Sequence, residues 1–98
     1  MVYKLRVLDE AIVEVQEAIL WYNDISNTLS ADIESRFYLS LDDIQKQPET
    51  YPKLKKNFRQ YNIGRFPYNV VYRLKGNLII VLAFAHHKRK PNYWRKRI

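Results

Sequence analysis

Residues 2–8, VYKLRVL, alternate: Val2, Lys4, Arg6 and Leu8 fall on one side, Tyr3, Leu5 and Val7 on the other. A period of two with one apolar side predicts a strand. From Asp9 the period lengthens. In DEAIVEVQEAILWYND, Ile12, Val15, Ile19 and Tyr22 recur at helical spacing, with Glu10, Glu14 and Glu17 largely opposite and Asp9 placed to cap the first turn. Acids in the first turns also suit the positive end of the helix dipole. The stretch NDISN interrupts that pattern. Ser30 is then the expected cap of a second helix, whose stripe is Ile33, Phe37, Leu41 and Ile44. Pro48 and Pro52 end it.

Beyond Thr50 the period returns to two. FRQYNI (58–63) predicts a short strand, and in RFPYNVVYRL (65–74) Phe66, Tyr68, Val70, Tyr72 and Leu74 share one face. Pro67 has no amide donor, so it belongs at that strand's start or on an edge. Lys75-Gly76-Asn77 reads as a hairpin turn, with Gly76 free to take the positive φ such turns demand. LIIVLAFAH (78–86) is apolar on both faces and predicts a central strand. Pro91 stands where a first helical position would be, so NYWRKR is expected to form a turn or two of helix. The order is β-α-α-β-β-β with a short C-terminal helical element. That is an α+β fold, with a two-helix hairpin packed on one face of a mostly antiparallel sheet. No linker separates the halves, so residues 1–98 read as a single domain.

Charge changes this picture more than composition does. Apolar residues make up 47% of the chain, with eight tyrosines, four phenylalanines and two tryptophans, which is material for a core. Cysteine is absent; this removes disulfides, thiolate zinc sites and cysteine nucleophiles, and fits a reducing cytoplasm. The longest apolar run, LIIVLAFA (78–85), falls far short of the roughly 20 residues a membrane-spanning helix needs, and MVYKLRVLDEAIVE is too charged for a signal peptide. A cytoplasmic protein without a membrane partner is expected. The net charge of +7 is unevenly spread. All ten acids lie between Asp9 and Glu49; set against Lys4, Arg6, Arg36 and Lys46 they leave the first half at −6. From Thr50 onward, thirteen Lys and Arg stand without a carboxylate, which is +13. Such polarity predicts one exposed cationic side turned toward a nucleic acid or an acidic protein. Adjacent His86 and His87 point to opposite faces of a strand with no carboxylates clustered near them, so no metal site and no cofactor is indicated.

Taken with this order of elements, the segment RFPYNVVY and the spacing His86, Arg89, Pro91, Trp94, Arg97 resemble the RelE/ParE superfamily of type II toxin–antitoxin toxins, also described as plasmid-stabilisation proteins. The likeness is closer to the ParE branch, where a strand of the F-P-Y-x-V-x-Y kind precedes a hairpin and a central strand ending in H-x-x-R-x-P-x-x-W. Trp21 and Tyr22 in the first helix fit as well. Lys90 departs from relatives that often carry an acid before the proline, and makes this tail more basic. The resemblance implies a cytoplasmic toxin silenced by a cognate antitoxin, whose flexible, often acidic segment folds as it binds. Operator DNA would be met only through the antitoxin complex. The target it implies is either DNA gyrase, blocked without catalysis as by ParE, or the ribosome and its mRNA, cleaved as by RelE. Charge alone leaves a third reading, a non-toxic nucleic-acid-binding module.

RNA cleavage by a 2′-hydroxyl requires a base, cations for the developing phosphorane charge and an acid for the leaving oxygen. Arg59, Arg65 and Arg89 are candidate cations, His86 or His87 a candidate base or acid, and Tyr93 a candidate assistant. No carboxylate base is available after Glu49, and no catalytic residue is assigned. Each residue has a plainer use. His86 ends a buried strand, where a satisfied hydrogen bond is commoner than catalysis, and alternation allows at most one of the two histidines into any one site. Trp94 is expected to dock the tail. Lys88, Lys90, Arg95 and Lys96 read as solvated. Arg59, Arg65, Arg89, Trp94 and Arg97 are the expected contacts to target or antitoxin, with Arg89 and Arg97 at the spaced motif positions.

Overall fold

The opening alternation forms strand β1, Lys4–Val7, whose Leu5 and Val7 pack toward the helices while Lys4 and Arg6 face away; the computed structural model describes residues 2–98. Helix α1 spans Asp9–Asn23 and helix α2 spans Asn27–Lys46. Both expected caps are corrected. Asp9 is the first helical residue, and Leu8 holds the cap position without a side-chain bond. Ser26 caps α2, its hydroxyl accepting from the Leu29 amide at 3.4 Å. Ser30 lies a turn inside, where its hydroxyl donates to Asn23 Oδ1 at 3.1 Å and ties α2 to the end of α1.

The α2 stripe is as expected: Ile33, Phe37 and Ile44 are buried and Leu41 partly so. Helix α1 keeps part of its expected face, with Val15 buried and Ile19 and Tyr22 partly buried against the core, but its centre is shifted. It buries Ala11, Glu14, Val15 and Ala18, an i, i+3, i+4, i+7 set, and leaves Ile12 40% exposed. The reason is steric. Helix α1 packs on the central strand, where two alanines allow close approach, and Ile12, Val13, Leu20 and Trp21 turn outward.

Strands β2 (Phe58–Asn62), β3 (Tyr68–Lys75) and β4 (Leu78–His86) complete a sheet of order β1-β4-β3-β2. β1 runs parallel to β4; the other pairs are antiparallel. Gly76 takes φ +61° in the β3–β4 turn, and Pro67 immediately precedes β3. Between sheet and helices, Phe84 meets Phe37 edge-on at 5.3 Å and stacks on Tyr68 at 4.5 Å. Tyr72 is buried and donates its hydroxyl to the Pro48 carbonyl at 2.6 Å, which fastens the loop after α2; burial pushes its pKa up to about 12.

One irregularity positions everything that follows. Val71 pairs with Ala83 and Tyr72 with Val81, so Leu82 is an extra residue in β4, a β-bulge. The bulge shifts the phase of alternation: Ile79, Val81 and Phe84 face the helices, while Ile80, Leu82 and Ala83 face the opposite, open side. The open side has its own apolar cluster, in which Leu8, Phe58, Val71, Ile80 and Leu82 surround Trp94 from the tail. The tail is less helical than expected. Asn92 sits at φ +63°, which breaks any helix begun at Pro91, and only a 3₁₀ turn forms, Arg95–Arg97.

Candidate functional site

The bulge frees two backbone groups of β4, and the tail answers them through Glu14. β1 pairs with β4 only as far as Val81. Just beyond, the Phe84 amide donates to Glu14 Oε1 at 3.0 Å, and the Leu82 carbonyl accepts from Arg97 Nη1 at 2.8 Å. Arg97 closes the arrangement with a two-pronged pair to Glu14, Nη1 to Oε1 at 2.9 Å and Nη2 to Oε2 at 3.1 Å. The Tyr93 hydroxyl donates to Glu14 Oε2 at 2.6 Å, and Arg89 reaches it at 3.8 Å. A carboxylate expected on the solvent side of α1 is therefore the buried hub of the tail. Burial first, and then the hydrogen bond to Glu14, push the Tyr93 phenol well above its ordinary range. The hydrogen bond to Glu14 holds Arg97 above its ordinary range.

The other expected site residues are dispersed. Trp94 is 4% exposed, edge-on to Phe58 at 4.8 Å; it anchors the tail as expected and has almost no surface left for a partner. The Arg97 side chain is 17% exposed and committed to Glu14. Arg59 donates to the Tyr51 carbonyl at 2.8 Å, and Arg65 is paired with Asp32 of α2, which also holds Arg36. The Arg65 and Arg89 side chains both stay about half exposed despite their carboxylate partners, and Arg89 lies 3.9 Å from the Tyr93 ring centroid.

His86, His87 and Tyr93 all border one cavity of about 190 Å³ on the open side, flanked by Gln60 and Asn69. The expectation that at most one histidine enters any site is corrected, because β4 ends at His86 and alternation ends with it. Both rings are nevertheless engaged. His86 Nδ1 accepts from the Lys88 amide at 3.0 Å, and His87 Nε2 lies 3.3 Å from Asn69 Oδ1. Burial first, then the His87 and Lys88 charges, hold His86 below its ordinary 6.5.

The expected cationic side exists in reduced form. Arg65, Arg89 and Arg97 are drawn against helix carboxylates, which removes them from a free patch. Lys53, Lys55, Lys56, Lys75, Lys88, Lys90, Arg95 and Lys96 remain exposed. On the helices, Leu20 is 67% and Trp21 65% exposed, and an apolar groove of about 230 Å³ runs between α1 and α2, walled by Ile12, Ile19, Tyr38 and Leu41. No group of His, Asp or Glu among the described residues could hold a metal ion, and no helix is long and apolar enough to cross a membrane.

A family model described as the ParE toxin of type II toxin-antitoxin system, parDE, matches residues 5–91. This chain belongs to the ParE toxin family. It is the toxin component of a type II toxin–antitoxin module, and its partner is a cognate antitoxin. The fold agrees. A solved chain from a chromosomal ParDE TA system of P. aeruginosa is similar with a TM-score of 0.76, covering 87% of the toxin and 96% of that chain at 15% sequence identity. No curated protein matches the sequence.

Arg97, Tyr93 and Arg89 thus clamp Glu14, and one outcome follows from this clamp and another from His86. Tyr93→Phe removes one donor to a charged, buried carboxylate and should cost about 1.5–3 kcal/mol in urea denaturation; a loss near zero would mean that Glu14 does not need the phenol. Because folding holds His86 below 6.5, the folded state binds fewer protons than the unfolded chain there. Stability should be complete above that value and fall as pH drops through it toward the folded pKa, and His86→Asn should flatten that slope. An NMR titration that places the His86 midpoint above 6.5 would contradict the sign.

Proposed function

We propose that this toxin acts in the cytoplasm, as one domain, by binding DNA gyrase without performing chemistry on a substrate. The observation that supports this reading is that His86, His87, Arg89 and Tyr93, which border one cavity, are each already engaged by neighbouring groups, while the other two candidate cations lie elsewhere. Arg59 and Arg65 lie on the helix side, tied to the Tyr51 carbonyl and to Asp32; His87 borders the open-side cavity, and His86 and Arg89 border both that cavity and a cleft beside Glu17 and Tyr68. Tyr93, held by Glu14 with its pKa raised, is a poor proton donor to a leaving oxygen. What remains available is shape and charge, which suits binding to a macromolecule better than catalysis.

The antitoxin would use two different surfaces. The α1–α2 groove is apolar, with Glu34 the one acid among the described residues in its lining, so it suits an amphipathic segment's apolar side. Acidic residues of the same segment would find the exposed cations of the tail and of the β2 lead-in. Operator DNA would be reached through the antitoxin complex.

Purified toxin added to a gyrase supercoiling reaction should abolish supercoiling near stoichiometric ratio, and prior addition of antitoxin should restore it. Unchanged supercoiling at excess toxin, together with codon-phased messenger cuts after induction, would instead establish the ribosome-dependent ribonuclease.

A further inference from the structure

Three cations converge where neither the family motif nor the Glu14 clamp accounts for them. Lys56 in the turn before β2, Arg73 in β3 and Arg95 in the 3₁₀ turn line one cleft of about 250 Å³, completed by Asn57, Phe58 and Ile98. No Asp or Glu lines it. Among the described residues none of the three cations has a carboxylate partner, in contrast to Arg36, Arg65, Arg89 and Arg97. The Arg73 guanidinium lies 5.9 Å from the Phe58 ring centroid, and its Nε is sealed from solvent with no hydrogen-bond partner. That sealed Nε is a cost the fold retains, and Arg73 would meet an anion through the guanidinium's other donors, at the cleft wall it forms.

We infer that this cleft is a phosphate site, and that its ligand is the phosphodiester backbone of a nucleic acid. A guanidinium flanked by two further cations matches a tetrahedral anion with several acceptor oxygens. The cations also continue past the cleft. Phe58 pairs with Arg73, Arg73 with Ile80 and Ile80 with Arg6, so Arg73 and Arg6 stand in one row on the open face. Two strand spacings of about 4.8 Å separate them by roughly 10 Å. A chain of repeated phosphates can occupy both positions; a single free phosphate can occupy one. The cleft's one ring, Phe58, offers little to seat apolar side chains of an acidic peptide. The assignment does not rest on gyrase as the target, and supercoiling inhibition is read separately.

The test measures affinity of the full chain for a labelled mixed-sequence DNA duplex as salt is varied. Arg73→Gln with Arg95→Gln should weaken binding at least about tenfold and make the log–log salt slope shallower by about 2, because each lost phosphate contact removes about 0.9. A charge-matched control, Lys46→Gln with Lys53→Gln, should stay within about threefold if the cleft holds the backbone. Circular dichroism checks folding. If the first variant unfolds, Arg73→Lys with Lys56→Gln is read in its place. Equal losses in cleft and control variants, or no duplex binding at physiological salt, would overturn the proposal. Competition by inorganic phosphate beyond that of a salt-matched chloride control would reassign the cleft to free phosphate. Competition by polyglutamate as effective as that by unlabelled duplex would reassign it to an acidic protein.

Discussion

A carboxylate buried against the central strand must be neutralised and hydrogen-bonded, and nearly every group that does this for Glu14 comes from the carboxyl-terminal tail. Arg97 supplies the charge, Tyr93 a hydroxyl, Arg89 a second cation and Phe84 a backbone amide. Ion pairs of this kind are weak evidence for net stability, because desolvation offsets much of the attraction, yet breaking one partner is costly. The clamp therefore acts chiefly as a register device. It determines where residues 87–98 lie, and with them Trp94 on the open-face cluster and Arg95 in the cationic cleft.

The clamp depends in turn on the β4 bulge. A regular strand would direct Leu82 and Phe84 otherwise, and β1 is too short to cover that edge. Here side chains replace a missing strand: Arg97 takes the carbonyl and Glu14 the amide. The same bulge sets the two faces of the sheet, one meeting an acidic helical hairpin and the other carrying the tail. Charge polarity along the chain is thereby converted into two unlike surfaces, though not at full strength. Asp32 and Glu14 together consume four arginines, and what remains for a partner is mostly lysine with Arg73 and Arg95.

Much of this was legible from residues. Alternation located β1 and β3, the Ile33–Phe37–Leu41–Ile44 stripe oriented α2, and an apolar run marked β4 as central. The family likeness lay in RFPYNVVY and the spaced tail, and the match over residues 5–91 supports the family and covers that tail as far as Pro91. The face of α1 was only partly legible, Ile12 being misplaced, because the helix holds more apolar residues than one stripe can bury. Ala11 and Ala18, spaced seven apart with Glu14 and Val15 between, were the available sign of a close-packed face. The bulge had no signal at all, since β4 is apolar on both sides and its alternation cannot be seen to slip. Ser30 was expected where Ser26 caps the helix, because both are good cap residues and a three-residue link between the helices leaves the pattern ambiguous. Arg97 looked like an exposed contact because pairing with a residue 83 positions away leaves no local trace.

The central claim is that Glu14 and Arg97 act as one unit that fixes the tail. A double-mutant cycle with Glu14→Gln and Arg97→Met, read by chemical denaturation, tests it most directly. The account predicts strongly non-additive losses, with a coupling of about 2 kcal/mol or more between the two positions. Losses that add to within about 0.5 kcal/mol would show that the two residues act independently, and the clamp would fail.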